Sequence, residues 1–148
     1  MNYLCMNGKY NADFSCGNSS CAKVNTTGEN VFIKRWHIGE TRGENEIGSI
    51  KILSGTVGIP EFYDEWEDDG YIYIARQWIS GLTLDEYVKK SKRLSIQEAV
   101  YIMQNLCGIF SEIEIKHGLF CHGDIHPQNI LYDEVSGLVT LIDFETFR

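Results

Sequence analysis

The sequence predicts an α+β fold, with an antiparallel sheet in the first half of the chain and helices in most of the second half. The sheet is predicted by two pairs of apolar runs, rich in aromatic and β-branched residues, in which a polar, glycine-containing turn separates the members of each pair. The helices are predicted by two start signals and by apolar residues that recur at steps of three and four. The chain of 148 residues is long enough for one ordinary domain or two very small lobes.

In the first half, two hairpins flank one helix. Residues 22–36 contain apolar runs on both sides of a turn at residues 26–29. Residues 61–67 and 71–78 form a second pair around an Asp-Gly turn. Between the hairpins, residues 41–54 have the pattern of a helix. This half is therefore predicted to be a sheet with one helix.

In the second half, capping boxes mark the helix starts. Thr83 is followed three residues later by Glu86, and Ser95 by Glu98, so helices should begin at both points. Gly118 is predicted to end the second of these helices. The apolar residues predicted to form its buried face are Ile96, Ala99, Val100, Met103, Leu106, Cys107, Phe110 and Ile113.

The last element is a pair of short strands. Residues 129–143 contain two apolar runs around a turn at residues 133–137. This arrangement places Asn129 just before one strand and Asp143 just after the other.

Composition and charge exclude several classes of function. A net charge of −8 at pH 7 argues against a surface for duplex nucleic acid, which needs many cations to neutralise phosphates. No apolar run approaches the roughly 20 residues that span a bilayer, and the first residues lack the pattern of a signal peptide. The five cysteines include no CxxC pair, which favours reduced thiols. We therefore expect a cytoplasmic monomer without a nucleic-acid or membrane partner.

The segment HGDIHPQN at residues 122–129 places two histidines, a carboxylate and a carboxamide close together on one predicted loop. A dinuclear metal hydrolase would use His122, Asp124 and His126 as ligands. Such a site needs further histidines and carboxylates, whereas only His37 and His117 remain, outside any motif. Capping or turn roles would explain any one of these residues but not the set. The other chemistry that suits the segment is phosphate handling.

Several motifs resemble those of the protein kinase superfamily. HGDIHPQN matches the catalytic-loop pattern HxDxxxxN, and LIDF at residues 141–144 resembles the strand that ends in the metal-binding Asp-Phe. Residues 17–24 are similar to a glycine-rich loop, with serine and alanine at the second and third glycine positions. Residues 31–34, VFIK, match the strand that carries the nucleotide-binding lysine. The resemblance extends from Gly17 to Phe144.

The resemblance implies a role for each matched residue, with ATP and Mg²⁺ as cofactors. Asp124 would steer the acceptor hydroxyl, Lys34 would hold the phosphates, and Glu46 would orient Lys34. Asn129 and Asp143 would bind the metal ion, because hard oxygen donors suit Mg²⁺. The residues expected to bind ATP are Gly17, Ser19, Ser20, Ala22, Val24, Lys34, Gln77, Ile79 and Leu131.

The implied architecture has two lobes. Residues 1–78 would form an amino-terminal lobe, with a five-stranded antiparallel sheet and the helix at 41–54. Residues 79–82 would link it to a much reduced helical lobe at 83–148, with the catalytic loop at 122–129 and the metal motif at 143–145.

Departures from the kinase pattern shape the functional alternatives. Gly123 replaces the usual arginine, Glu145 replaces the glycine of Asp-Phe-Gly, and His126 stands where protein Ser/Thr kinases commonly have a lysine. Phe32 replaces a small alanine, and Arg76 lies near the position that gates the back pocket. HGDIHPQN and IDFE also resemble the aminoglycoside and choline phosphotransferases.

Three functions remain open. The favoured one is a minimal Ser/Thr protein kinase without an activation segment, similar to those that bacterial pathogens deliver into host cells through a specialised route. Such a kinase is expected to act on a protein substrate, including a host protein that also activates it. The second is a small-molecule phosphotransferase. The third is a pseudokinase that binds without transfer, which the joint retention of Lys34, Asp124, Asn129 and Asp143 argues against.

Overall fold

The computed structural model describes residues 4–6, 8–91 and 93–148. Its strands are β1 (Leu4–Met6), β2 (Tyr10–Ala12), β3 (Ser19–Val24), β4 (Asn30–His37), β5 (Phe62–Asp68), β6 (Tyr71–Gln77), β7 (Leu82–Thr83), β8 (Ile130–Tyr132) and β9 (Val139–Leu141). Its helices are α1 (Thr41–Leu53), α2 (Leu84–Ser91) and α3 (Ile96–His117), with a short 3₁₀ turn at Pro127–Asn129.

The main sheet is antiparallel throughout, in the order β1-β2-β3-β4-β6-β5. Both predicted hairpins are present, because β3 pairs with β4 and β5 pairs with β6. Asp69 and Gly70 both have positive φ, as a two-residue hairpin turn requires. The sheet has six strands in the described residues, one more than predicted. The extra strand, β1, has three residues, too few for an alternating pattern to reveal it.

The two faces of the main sheet contribute to different hydrophobic clusters. On one face, which we call the helix face, Trp36 and Ile74 pack with Ile47 and Ile50 of α1. The same cluster continues into α3, β8 and β9. On the opposite face, which we call the outer face, a second cluster contains Tyr10, Ala12, Phe14, Ala22, Val31, Ile33, Tyr73 and Ala75. Successive side chains of a strand point to opposite faces of the sheet. The residues of β4 that alternate with Val31 and Ile33 therefore lie on the helix face, as Trp36 does.

The second half of the chain forms a small sheet, β7-β8-β9, with α2 and α3. Both predicted capping boxes are confirmed. The Ser95 hydroxyl accepts from the Glu98 N–H, while the Glu98 carboxylate accepts from the Ser95 N–H at 2.8 Å. Thr83 and Glu86 make the same reciprocal pair. Gly118, with φ of 85°, ends α3 as predicted.

The predicted buried face of α3 is wrong in part. The buried residues are Ile102, Leu106, Ile109 and Ile113, whereas Ile96, Val100, Met103 and Cys107 are exposed. Apolar residues lie around much of the circumference of this helix. Their spacing in the sequence is therefore compatible with more than one choice of buried face. The buried stripe packs near β9 and the loop at residues 55–59.

No helix in the described part of the chain combines the length and the apolar character needed to cross a membrane.

Candidate functional site

Lys34 lies on the helix face of β4, where the main sheet meets the segment that follows β9. Its Nζ is 2.8 Å from Glu145 Oε1 and 3.6 Å from Asp143 Oδ1. It also lies 5.0 Å from the centre of the Trp36 ring. Burial alone would lower the pKa of Lys34, but the carboxylates of Glu46, Asp143 and Glu145 outweigh burial and raise it. The Lys34 ammonium group is therefore charged, and three carboxylates stabilise its charge.

Glu46 lies on the buried side of α1 and is only 2% exposed. Its Oε2 accepts a hydrogen bond of 2.6 Å from the N–H of Phe144. Burial raises the pKa of Glu46, opposed chiefly by the charge of Lys34. The sequence predicts a direct Lys34–Glu46 pair. In the described structure Lys34 instead pairs with Glu145 and Asp143, because the Glu46 carboxylate is turned towards the backbone of Phe144.

Arg76 on β6 is a buried cation on the same face. Its Cα pairs with that of Phe32 across the sheet, and its guanidinium lies 4.0 Å from the centre of the Phe32 ring. Burial lowers the pKa of Arg76 to about 10, although Glu46 and Asp143 favour its charged form. Arg76 therefore remains charged at neutral pH and balances the nearby acids.

The loop at residues 122–129 begins with a buried histidine. His122 Nδ1 accepts from the N–H of Asp124 at 3.3 Å, and His122 Nε2–H donates to the carbonyl oxygen of Ile142 at 3.2 Å. Burial lowers the pKa of His122, which favours this neutral form. Both ring nitrogens are thus used in shaping the loop, so neither is free to bind a metal ion.

Asp124 and Asn129 face each other across the loop. Asn129 Nδ2 donates to the backbone oxygen of Asp124 at 3.0 Å and to its Oδ2 at 3.1 Å. His126 Nε2 lies 3.3 Å from the same carboxylate oxygen, while His126 Nδ1 accepts from the N–H of Gln128. The Asp124 carboxylate remains half exposed. It can therefore accept a proton from a bound hydroxyl while its orientation is fixed.

Asp143 follows β9 in a left-handed conformation, with φ of 67°. A non-glycine residue at such a φ is held there by its surroundings. Phe144, which is fully buried, packs edge-on against the His122 ring at 5.1 Å and anchors the segment. The N–H of Ile142 donates to the carbonyl oxygen of Asn129 at 3.0 Å. These contacts bring the 122–129 loop and the 142–145 segment together.

The donor atoms of this site fit Mg²⁺ better than a dinuclear hydrolase centre. Asp143 and Asn129 supply carboxylate and amide oxygens, the ligand types that Mg²⁺ prefers. No group of three or more His, Cys, Asp or Glu side chains in the described ranges is arranged to hold a metal ion. The alternative based on His122, Asp124 and His126 therefore lacks its ligand set.

The residues of the predicted glycine-rich loop divide between the two faces of β3. Ser19 pairs with Lys34 in the antiparallel register and lies on the helix face, near a turn that contains Gly17. Ala22 lies in the outer-face cluster, Val24 packs against it, and Ser20 shares that face. The side chains of these three residues therefore point away from Lys34. That these residues bind ATP stays a prediction.

Sequence reasoning missed Cys21. It pairs with Phe32 in the register, is exposed, and shares the helix face with Lys34. The signal was available, because counting the hairpin register from Lys34 back to β3 assigns Cys21 to this face.

Residues 77–79, at the end of β6 and just after it, border two separate grooves. Trp78 stacks with Phe32 at 6.5 Å between ring centres. Gln77 and Ile79, predicted to bind ATP, line a groove of about 610 Å³ together with Gly58, Ile109 and Thr140. Leu131 is half-buried in the middle of β8. Gln77 also lines a separate groove of about 420 Å³ together with Trp78, Tyr10 and Val24. The side chains of this segment therefore border two grooves, neither of which includes Lys34 or Asp143.

Comparison with known proteins gives consistent results. Residues 15–148 match the family model described as a protein kinase domain. The chain is 32% identical over 117 residues to the serine/threonine-protein kinase PrkC of Bacillus subtilis (strain 168), covering 78% of this chain and 16% of that protein. It is 26% identical over 102 residues to the probable serine/threonine-protein kinase HSL1 of Saccharomyces cerevisiae (strain ATCC 204508 / S288c), covering 68% of this chain and 6% of that protein. The chain thus spans a small part of each of these relatives.

Proposed function

Because the chain belongs to the protein kinase domain family, we propose that it transfers the γ-phosphoryl group of ATP to a Ser or Thr hydroxyl of a protein. In this proposal the main sheet and α1 form an amino-terminal lobe. Residues 79–82 connect it to a reduced lobe at residues 83–148. The cofactors are ATP and Mg²⁺.

One observation carries the proposal. Lys34 Nζ and Asp143 Oδ1 lie 3.6 Å apart, although they come from a strand of the main sheet and from the segment after β9. Phosphoryl transfer needs a cation for the phosphates and an oxygen ligand for the metal ion side by side. The Asp124–Asn129 contact adds a carboxylate and a second oxygen donor on the loop that is bonded to the same segment.

Each residue then has a definite task. Lys34 holds the α- and β-phosphates through charge and hydrogen bonds, and Asp143 and Asn129 bind the metal ion. Held by these two residues, Mg²⁺ would supply positive charge to offset the negative charge of the phosphates during transfer. Asp124 orients the acceptor hydroxyl and accepts its proton. The neutral His122 keeps Asp124 in place through the N–H of that residue.

The acceptor class is supported by the relatives, since both are named as serine/threonine-protein kinases. A protein acceptor has to be positioned by contacts with the surface of the enzyme, because correct positioning supplies much of the rate. We therefore expect slow transfer to short generic peptides and strong dependence on one protein partner. A bacterial-effector role, with a host protein as that partner, is one form of this proposal.

A small-molecule phosphotransferase is the second candidate. It is favoured by the HGDIHPQN segment, in which His126 lies 3.3 Å from the Asp124 carboxylate, and by Glu145 after Asp-Phe. Both features resemble the aminoglycoside and choline phosphotransferases.

A binding experiment tests the nucleotide and metal part of the proposal. Mg²⁺ and ATP together should raise the melting temperature more than the sum of their separate effects, because each completes the coordination of the other. Asp143→Asn should remove most of this synergy. Asp68→Asn, an exposed carboxylate at the end of β5, is the matched control and should retain it. Equal synergy in Asp143→Asn and the parent would show that Asp143 does not bind the metal ion.

A transfer experiment tests the acceptor. The protein is incubated with γ-labelled ATP and Mg²⁺ against bacterial and eukaryotic lysates, and separately against aminoglycosides and choline-like alcohols. We expect a labelled protein band that is absent with Asp124→Asn. Labelling of a small alcohol without such a band would select the second candidate. ATP binding without any transfer would indicate a pseudokinase.

A further inference from the structure

We propose that Glu145 is the positioning residue for Lys34, the task that the family pattern assigns to Glu46. This inference rests on the proposed function and adds one residue to its machinery. It follows from which carboxylate contacts the lysine, and from what each of the two carboxylates is bonded to.

Glu145 is held by donors on two elements. Its Oε1 lies 2.8 Å from Lys34 Nζ and accepts a hydrogen bond of 3.1 Å from Trp36 Nε1, both on β4. Its backbone oxygen accepts from Asn45 Nδ2 of α1 at 3.1 Å. The carboxylate is therefore fixed at the side chain and at the main chain. A carboxylate with this many fixed partners can define where the ammonium group lies.

The Glu46 carboxylate makes its hydrogen bond with a group other than Lys34 Nζ. It accepts the Phe144 N–H at 2.6 Å and lies in the field of the buried Arg76 cation. Its charge is the strongest of the influences that raise the pKa of Lys34, but its carboxylate forms no ion pair with Lys34 within 4.0 Å in the described structure. Glu46 therefore supports the backbone next to Asp143, while Glu145 makes the direct contact with the lysine.

The consequence is a lysine held close to the metal-binding aspartate. The side chains of Lys34 and Glu145 are only 20% and 19% exposed, so water screens their attraction less than at the surface. Glu145 thus keeps the ammonium group on the side where Asp143 lies 3.6 Å away. A loss of Glu145 should leave Lys34 charged but without a fixed position.

Steady-state kinetics of Glu145→Gln separate positioning from other roles. Misplacing a catalytic cation should lower kcat by about 10- to 100-fold. The KM for ATP should stay the same or fall, because one negative charge near the phosphates is removed. Glu65→Gln is the matched control, since it neutralises an exposed carboxylate that pairs with Lys51, and it should leave both constants unchanged. An unchanged kcat in Glu145→Gln would overturn the proposal.

Asn45→Ala provides a second variant, because Asn45 is exposed and its loss should not prevent folding. Loss of its bond to the Glu145 backbone should lower kcat by about three- to tenfold, the worth of one net hydrogen bond. A variant with the kcat of the parent would show that α1 does not help to fix Glu145.

Nuclear magnetic resonance of the nucleotide-free protein gives a readout that does not depend on activity. The indole N–H resonance of Trp36, assigned with Trp36→Phe, should move in Glu145→Gln, while those of Trp66 and Trp78 should not. An unmoved Trp36 resonance would show that the contact is absent in solution and would overturn the inference. If the parent fails to bind MgATP, the proposed function fails, and this spectrum still decides whether Glu145 contacts the β4 side chains.

Discussion

At the scale of single residues, Gly123 shows how a departure from the kinase pattern is built into the loop. Its φ is 81°, and a Cβ at this position would lie 2.8 Å from Thr146 Oγ1. That hydroxyl donates a 2.6 Å hydrogen bond to the carbonyl oxygen of His122. The arginine that the family usually carries here would therefore meet both an unfavourable φ and an occupied space.

Gly123→Ala is expected to destabilise the protein by about 1 to 3 kcal/mol, the cost of one strained backbone position. The free energy of unfolding from urea denaturation measures this change. Gly48→Ala is the control, because Gly48 is exposed on α1 with no atom close to an added Cβ. In that helix, alanine should stabilise by up to about 1 kcal/mol. A Gly123→Ala protein as stable as the parent would contradict the assigned backbone strain.

The site could be predicted from sequence only where motif position fixes a side chain. Lys34 and Asp143 were predicted, and the structure places them side by side. The choice between Glu46 and Glu145 as the partner of Lys34 could not be made, because it depends on side-chain direction after the chain has folded back. The sequence identified Glu145 only as the residue that replaces the glycine of Asp-Phe-Gly.

At the scale of elements, the start of α3 is fixed by more than its capping box. The Tyr87 hydroxyl of α2 donates to Glu98 Oε1 at 2.6 Å, while Ser95 donates its N–H to the other carboxylate oxygen. These hydrogen bonds lower the pKa of Glu98 to about 2. One carboxylate therefore joins α2 to the first turn of α3.

Stability should depend on the ionisation of Glu98. The pKa of Glu98 in the folded protein lies below its ordinary value of 4.5, so the unfolded chain binds more protons between these values. Its stabilising effect is complete above pH 4.5 and is lost as pH falls towards 2. Urea midpoints measured from pH 6 to pH 3 should fall more steeply for the parent than for Glu98→Gln. Parallel curves would show that Glu98 does not carry this effect.

Elements were predicted well where the signal is local. Capping boxes and Asp-Gly turns involve neighbours in sequence, so the boundaries of α3 and the β5–β6 hairpin followed directly. The buried stripe of α3 depends on partners from elsewhere in the chain. Ile102 and Ile109 are buried there, while Ile96 and Met103 are exposed, although their side chains are similarly apolar.

At the scale of the whole molecule, Glu46 joins the two halves of the structure. It connects α1 to the segment after β9 through Phe144 and balances the charge of Arg76 on β6. Removal of the carboxylate would leave a buried N–H without an acceptor and a buried cation with less compensation.

Glu46→Ala is therefore expected to lower the free energy of unfolding by about 3 to 5 kcal/mol, as for a broken buried pair. Glu46→Gln should lose less, because its amide oxygen can still accept from the Phe144 N–H. Chemical denaturation followed by circular dichroism provides the measurement. Glu44→Ala is the control on the exposed side of the same helix and should change stability by less than about 0.5 kcal/mol. Equal losses for Glu44→Ala and Glu46→Ala would contradict this role.

The hydrogen bonds that build the site have a consequence for its synthesis. The bonds from Phe144 to Glu46, from Asn45 to Glu145 and from Trp36 to Glu145 join residues 98, 100 and 109 positions apart. A ribosome adds about 5 to 20 residues per second, so roughly 5 to 20 seconds separate the addition of Trp36 from that of Glu145. During that interval, the hairpins of the main sheet can form, while Lys34 lacks both of the carboxylates that later hold it. The growing chain therefore carries most of the main sheet, with Lys34 not yet paired to a carboxylate, before it carries the candidate site.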